Sequence, residues 1–502
     1  MRTEGNILLS DLMNGMPYLT KGALNGIRIR AITADSKQVR EGDLFIAIRG
    51  TKHDGHHFLE EAIHRGAVAV IIERPYSHPT VKVLQVSDSK KCLSHLAAVW
   101  YQFPSKKLRV IGITGTNGKT TISYLLEQLL QKEKIGVIGT ISYRVGTRVI
   151  PSTQTTPSAL ELQGLLAEMA KNQLGFAVLE VSSHALDQSR VADVEFQIGI
   201  FTNLSQDHLD YHETMQAYGS CKLKLFQQLS RSSYAIVNSD DPFTPEIVRS
   251  TEAKIIRYGF SQQADVRAES FSMGCKEGKE GMEMRIHTPK GPVSMWTPLM
   301  GRHNVYNLLA AFCAGIVLEK SVTEITKALE QLGGVPGRLE KFESSLGFRV
   351  FVDYAHTPDG LRQVLSTLRE ITSGRLWVVF GCGGDRDRTK RSQMGEVAVQ
   401  LADEILLTSD NPRNEDPNGI IQEVMEGVRS LEKKAIEKVK VVVDRASAIQ
   451  WAVFSAQSGD TVLLAGKGHE SYQIFKNVTI PFDDRQQTRH WITQREAHDT
   501  NT

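Results

Sequence analysis

The chain has 502 residues, 41% hydrophobic and 23% charged, with a formal net charge of +2. This is the composition of an ordinary globular protein of about three domains, and so small a net charge argues against a nucleic acid or a membrane surface as the main partner. The five cysteines (Cys92, Cys221, Cys275, Cys313, Cys382) are scattered and form no CxxC pair, which argues against a disulfide framework or a zinc site and fits reduced thiols in a cytoplasmic enzyme.

No basic segment followed by an apolar one opens the chain, so no secretory signal is expected, and no apolar run is long enough to span a bilayer. Residues 1 to about 107 mix short strands and helices. Residues 27–32 alternate as a strand does, 33–36 read as a polar turn, and 42–48 as a turn into a buried strand. A helix is predicted over 56–65, a strand over 67–72, and a helix over 93–101 that stops before Pro104. This segment carries no recognisable catalytic set; Ser36, beside Asp35, reads either as a ligand contact or as a turn and cap residue.

From about 108 to 337 strands are predicted at 110–113, 135–141, 176–181, 198–201 and 234–237, with helices around 121–132, 158–171 and 215–229. That rhythm predicts a parallel α/β sheet. Between the first strand and the first helix lies Thr114-Gly115-Thr116-Asn117-Gly118-Lys119-Thr120-Thr121. Backbone N–H groups in such a turn cradle a phosphate chain, Lys119 reaches the outer phosphates, and the Thr120 hydroxyl suits Mg²⁺. The spacing departs from the usual phosphate loop: its first glycine would fall on Ile113, and Gly112 is one residue early.

Ligands of such sheets collect at the carboxyl ends of strands, which gives meaning to residues 180–184 (EVSSH) and 203–210 (NLSQDHLD). Thr120 and Glu180 offer hard oxygen ligands for Mg²⁺. Taken alone, His208 reads as a hydrogen-bonding histidine or a weaker metal ligand, and Lys222, on a helix, as solvated surface. Residues 255–300 are β-like, with turns at Gly278-Lys279 and Gly291, before a helix over about 301–318. Dense Gly and Pro at 333–338 predict a domain boundary. Beyond it, strands at 348–352, 376–380, 404–407, 440–443 and 461–465 alternate with helices at 357–370, 392–401, 420–430 and 446–456, predicting a second, doubly wound α/β domain.

Taken together, TGTNGKTT at 114–121, TTP at 155–157, EVSSHAL at 180–186, NLSQDHLDYH at 203–212, GRHNVYN at 301–307, PGRLE at 336–340 and DYAHTPD at 353–359 resemble the Mur ligases, ATP-dependent amino-acid-adding enzymes of peptidoglycan synthesis. The resemblance covers essentially the whole chain. GCGGDRDRTKR at 381–391, DNPR at 410–413 and GKGHE at 466–470 are most similar to the members that add the third residue of the stem peptide.

The resemblance implies three domains: an N-terminal α/β domain over 1–107 that binds the UDP end of the substrate, a central P-loop-type parallel-sheet ATPase domain over 108–337, and a C-terminal doubly wound, Rossmann-like domain over 338–502 that brings the amino acid. It implies a reaction in which the free carboxylate of UDP-N-acetylmuramoyl-L-alanyl-D-glutamate is phosphorylated by ATP. The acyl phosphate is then attacked by the amine of meso-diaminopimelate, or alternatively of L-lysine. Folylpolyglutamate synthase, of the same superfamily, would leave the N-terminal segment without a purpose.

Carried over residue by residue, the similarity assigns Thr114, Gly115, Thr116, Asn117, Gly118, Lys119, Thr120, Asn304 and Arg338 to ATP. Lys119, Glu180, His208 and Lys222 are the implied catalytic residues, and Thr120, Glu180, His208 and Lys222 the implied Mg²⁺ ligands. Lys222 would first take up CO₂ as a carbamate (N6-carboxylysine), which requires a neutral amine and so a lowered pKa. Lys224 is the neighbouring alternative; the register from Tyr218, with a small residue before the lysine, favours Lys222, and Cys221 stands where most relatives have alanine. Ser36, Gln154, Thr155, Thr156, Ser182, Gln188 and Arg190 are implied contacts of the nucleotide sugar, with Gln154 replacing a frequent asparagine. Arg386, Asp410, Asn411, Pro412, Arg413, Gly466 and Glu470 are implied contacts of meso-diaminopimelate, whose far carboxylate, absent from L-lysine, suits the fork of Arg413. Asp353 and His356 fall at the domain junction. The expected partners are small molecules, with no nucleic acid and no membrane insertion, and the expected state is a cytoplasmic monomer.

Overall fold

The computed structural model describes residues 5–50, 53–130, 134–431, 436–476 and 478–500. The end of the helix predicted over 121–132, at Gln131 and Lys132, lies outside them. A four-stranded parallel sheet forms the N-terminal part, in the order Ile32–Thr33, Asp43–Ile46, Ala67–Ile72, Lys82–Gln85. Parallel strands need cover on both faces. Leu93, Leu96 and Trp100 of the helix Ser89–Trp100 supply one side, and Val39, Leu59 and Ala62 the other. That helix starts four residues before the predicted 93, because the Asp88 carboxylate accepts from the N–H groups of Lys90 and Lys91 and caps it.

Residues 27–32 are not one strand. Arg28–Ile29 pairs with Ile7–Leu8, whereas Ile32–Thr33 joins the four-stranded sheet. The chain changes partners at Arg30, whose backbone N–H donates to Gly42 and whose guanidinium lies 3.1 Å from Asp43. The helix expected over 56–65 opens as a 3₁₀ turn, Gly55–Phe58, before Leu59–His64.

The central sheet has eleven strands. Seven run parallel, in the order Ile135–Ile138, Phe176–Glu180, Arg109–Thr114, Ile198–Phe201, Tyr234–Asn238, Lys254–Gly259, Val266–Lys276. Antiparallel pairs extend both edges: Ser142–Val145 with Arg148–Pro151, and Lys279–Thr288 with Gly291–Thr297. Ile111 and Ile113 meet the helices Lys119–Leu130 and Arg302–Val317, while Val110 faces Ala159–Lys171 and Met215–Gln227. The strand Arg109–Thr114 sits mid-sheet, and the chain leaves it first to one side and later to the other. Its carboxyl end is therefore a topological switch point, where α/β sheets open a crevice. The strand expected over 135–141 ends at Ile138, where the chain turns into the edge pair.

The C-terminal sheet has six strands, in the order Glu340–Glu343, Arg349–Asp353, Thr461–Ala465, Leu376–Phe380, Glu404–Leu407, Val439–Val441, parallel except for the first pair. Three elements here were not foreseen: the strand Glu340–Glu343, the hairpin Tyr472–Phe475 with Val478–Pro481, and the helix Asp484–Thr500. A fully buried, bidentate pair between Arg445 and Asp484 (2.8 and 2.6 Å) fastens that helix to the sheet. Among the described residues no helix is long and apolar enough to cross a membrane.

Candidate active site

The switch point opens into a cleft of about 420 Å³ between the central sheet and the C-terminal sheet. One wall is the loop between Thr114 and Lys119. Gly115 holds φ at 144°, and a Cβ there would lie 1.8 Å from the Thr202 hydroxyl, so only glycine lets the loop lie this close to the neighbouring strand end. Lys119 opens the helix Lys119–Leu130 and donates to the carbonyls of Gly115 and Thr116, both at 2.9 Å. Burial, aided by the charge of Arg338, lowers its pKa against the pull of Glu180 and Asp207. Arg338 reaches in from the domain junction, donating to the Thr120 hydroxyl at 3.2 Å and stacking on Tyr354. Asn304 lies in the first turn of Arg302–Val317, donating to Met300 and accepting from Asn307, at the far end of the cleft.

Glu180 ends its strand 1% exposed. Its carboxylate accepts from the hydroxyls of Thr120 (2.9 Å), Thr140 (2.7 Å) and Ser123 (3.3 Å) and from the Thr140 N–H (3.2 Å). Among the described residues no cation lies within ion-pair distance of it. A buried carboxylate served only by neutral donors, one of them the phosphate-loop hydroxyl, is a set of hard oxygens suited to Mg²⁺. Thr140 and Ser123 escaped the sequence reading because neither belongs to a motif that signals a site.

His208 lies at the mouth of the neighbouring strand. Burial and the adjacent His184, Lys390 and His356 outweigh Asp207 and push it down to about 3, leaving a neutral imidazole able to bind a metal. Asp207 itself sits among Lys390 (3.1 Å), His208 (3.3 Å) and His356 (3.6 Å). Burial alone would raise its pKa; Lys390 and its contacts with His208 and His356 hold it well below the carboxylate range. Lys222 corrects the surface reading: it is 1% exposed. Its helix, Met215–Gln227, turns this face inward, and Nζ lies 4.3 Å over the Tyr218 ring. Among the described residues it makes no hydrogen bond or ion pair. Burial, reinforced by Lys119, lowers its pKa far below that of a free lysine, which is the condition for a reactive neutral amine. Lys224 by contrast is half exposed and paired with Asp187 at 3.4 Å.

The predicted nucleotide-sugar contacts other than Ser36 gather around Arg190, which donates to the side chains of Gln154 and Gln188 and to the Thr156 carbonyl (2.8 Å). The Thr156 hydroxyl donates to the Glu180 carbonyl (2.8 Å) and accepts from the Ser182 N–H, and the Thr155 hydroxyl meets that of Thr140 at 3.2 Å. This wall therefore adjoins the Glu180 carboxylate. Ser36 stands apart: it is buried in the N-terminal domain, its hydroxyl donating to Glu61 at 2.8 Å, and the local cap is Asp35.

Across the cleft, the loops after Leu376–Phe380, Glu404–Leu407 and Thr461–Ala465 converge. Gly466, at φ 112°, would place a Cβ 2.6 Å from the Asp410 carboxylate. Asn411 donates to Glu470 at 2.8 Å, and the fully buried Lys467 donates to both Asn411 (3.3 Å) and Glu470 (3.1 Å). Pro412 packs against the loop carrying Gly384, and Arg413 donates to the Gly384 and Asn411 carbonyls at 2.8 and 3.4 Å. Arg386 donates to the carbonyl of Asp385. Among the described residues neither guanidinium forms an ion pair with a carboxylate. Burial and the nearness of Arg386 lower the pKa of Arg413. Lys467 lies inside a quoted motif but was given no role; the unforeseen hairpin, through the Ile474 N–H, also fixes Asn411.

Three family profiles match in chain order: "Mur ligase family, catalytic domain" over residues 28–101, "Mur ligase middle domain" over 113–315, and "Mur ligase, glutamate ligase domain" over 337–468. The chain is 43% identical over 475 residues to the "UDP-N-acetylmuramoyl-L-alanyl-D-glutamate--2,6-diaminopimelate ligase" of Geobacillus thermodenitrificans, covering 93% of this chain and 95% of that one. It is 40% identical to the protein of the same name from Listeria monocytogenes, covering 96% and 98%. A solved structure titled with the same ligase name aligns with TM-score 0.67 at 33% identity over 98% of this chain and all of that one. A folylpolyglutamate synthase of Mycobacterium tuberculosis shares the fold at TM-score 0.59 and 17% identity, over only 74% of this chain.

Proposed function

This chain belongs to the Mur ligase family, and from that premise we propose that it joins meso-diaminopimelate to the D-glutamate of UDP-N-acetylmuramoyl-L-alanyl-D-glutamate, with ATP as the source of the activating phosphate. The L-lysine alternative is not favoured, since the relatives are named for diaminopimelate. The three domains divide the work as the sequence suggests, the segment to 107 taking the UDP end, 108–337 the ATP, and 338–502 the amino acid, in a cytoplasmic monomer acting on small molecules.

The free carboxylate of the dipeptide attacks the terminal phosphorus of ATP, and the bond to ADP breaks. A carboxylate is a poor electrophile; as an acyl phosphate it carries a good leaving group. The protein's share is positioning and charge neutralisation. The loop from Thr114 to Thr120 presents its N–H groups to the phosphates, Lys119 and Arg338 neutralise them, and the wall of Thr155, Thr156 and Arg190 brings the dipeptide end beside Glu180. Thr120, Glu180, His208 and Lys222 would hold Mg²⁺, Lys222 as its carbamate; Mg²⁺ when bound draws charge off the phosphate oxygens. The amine then attacks the acyl carbon, the carbon–oxygen bond to phosphate breaks, and the amine proton is lost to solvent.

The observation that carries the choice of amino acid is the side-by-side pair Arg386 and Arg413, bonded to backbone carbonyls and free of carboxylates among the described residues. Two guanidiniums left without an anion at the end of an amino-acid pocket suit a substrate with a second carboxylate. The test is phosphate release and product mass with the UDP-dipeptide, ATP and meso-diaminopimelate, with and without Mg²⁺. A product heavier by one diaminopimelate residue, formed only with Mg²⁺, is expected; ATP binding without amino-acid-dependent phosphate release would refute the proposal.

A further inference from the structure

One contact across the cleft buries two opposite charges at the seam between the central and C-terminal sheets. Lys390 Nζ lies 3.1 Å from the Asp207 carboxylate, and each side chain is 7% exposed. Lys390 lies in the first turn of the helix Thr389–Leu401, directly after the loop that carries Arg386, and Asp207 immediately precedes His208. Beside the pair, Gln206 donates to the Thr389 hydroxyl at 2.8 Å and accepts from Gln393 at 3.2 Å. On the phosphate-loop side, Asn117 donates to Asp359 at 3.1 Å. Each contact joins a residue of the ATP cleft to one of the amino-acid-bearing domain. A buried ion pair gives little net stability compared with apolar packing of the same volume, so stability does not account for a charge pair at this seam.

We propose that Lys390 is a positioning residue that couples the amino-acid loop to the acyl-phosphate site and keeps water from the acyl phosphate until the amine is in place. This rests on the ligase reading above. The segment from Gly383 to Arg391 is short, with Arg386 near Arg413 and Lys390 gripping Asp207 beside His208. Swinging the C-terminal domain away separates Lys390 from Asp207 and opens the seam. An acyl phosphate then has a second fate. A water oxygen bonds to the acyl carbon, the carbon–oxygen bond to phosphate breaks, and carboxylate, phosphate and a proton are released with no amide formed. Exclusion of water is what suppresses such side reactions.

The test is to measure phosphate and amide product together, with UDP-dipeptide, ATP, Mg²⁺ and meso-diaminopimelate, for the wild type, Lys390→Met, Lys390→Arg and Gln206→Ala. The wild type should release about one phosphate per amide, and Lys390→Met more than about two, with a raised KM for meso-diaminopimelate and unchanged ATP affinity. Lys390→Arg, which keeps the cation, should return the ratio toward the wild-type value. Removing one partner of a buried pair can prevent folding; should Lys390→Met not fold, Gln206→Ala, which spares the pair, decides the matter by a smaller rise in the same ratio. A wild-type ratio in the folded variants overturns the proposal. A wild type that forms no amide at all overturns the ligase reading instead.

Discussion

In the central cleft the carboxylates are already served by the protein's own donors: Glu180 accepts from the neutral Thr120, Thr140 and Ser123, and Asp207 is ringed by Lys390, His208 and His356. In the proposed amino-acid pocket Asn411 and Glu470 are tied together through Lys467, and the hairpin holds Asn411 and the Asp410 carbonyl, yet among the described residues Arg386 and Arg413 donate only to backbone carbonyls. The difference matches what the proposed function has each region receive. On the proposed function, phosphates and Mg²⁺ would enter the first as a compact, self-neutralising cluster, so its carboxylates can be arranged in advance. An amino acid with a surplus carboxylate would enter the second, so its cations would be left for the substrate.

The sharpest way to break the first half of this contrast is Lys222→Ala. Activity should fall by about 10³-fold or more, the scale of losing a preorganised charge from a catalytic site, and recover in part with added short-chain carboxylate. A variant with wild-type activity contradicts the carbamate assignment. The second half is broken by Arg413→Ala. Losing a charge-assisted fork costs about 1.5–3 kcal/mol, so the KM for meso-diaminopimelate should rise by roughly 10- to 150-fold, with the KM for ATP unchanged; an equal rise in both would argue for a general structural role. A smaller effect, about 10-fold in the Mg²⁺ concentration needed for half-maximal rate, is expected from Thr140→Val, which removes one donor orienting Glu180.

The smallest effect concerns stability rather than catalysis. Hydrogen bonds from the fully buried Arg391 pull Glu415 down to about 2. Its folded pKa lies below its unfolded one, so its contribution is complete above about 4.5 and is lost as pH falls toward about 2. Glu415→Gln should lower the melting temperature at pH 7 by a few degrees, on the order of 2–4 °C, and flatten the loss of stability across that acid window. Wild-type melting at both pH values would show the pair to be idle.

Much of the scaffold was legible because its strands are short β-branched or apolar runs bounded by polar turns: Ile198–Phe201, Leu376–Phe380, Glu404–Leu407 and Thr461–Ala465 fall where the sequence predicts them. The pair Ser142–Val145 and Arg148–Pro151 escaped because both strands are short, and the second, an exposed or half-buried edge, offers only Val149-Ile150 as an apolar stretch. The helix Asp484–Thr500 escaped because its sequence is strongly polar, with Ile492 its buried anchor. At the site, motifs reveal which residues have chemistry but not what surrounds them. Thr140 and Ser123 lie 40 and 57 positions from Glu180. The lowered pKa of Lys222 likewise rests on its burial and on the charge of Lys119, far away in the chain. Local pattern alone made that lysine a surface residue; the family resemblance implied otherwise, and the packed fold buries it.

The central claim is that the unpaired arginines select an amino acid with a second carboxylate. Its most direct test is the ratio of kcat/KM for meso-diaminopimelate over L-lysine, measured on the wild type under one set of conditions. The account predicts a strong preference for meso-diaminopimelate, of about 10-fold or more for each charge-assisted contact that lysine lacks. Equal or better turnover with L-lysine would contradict it.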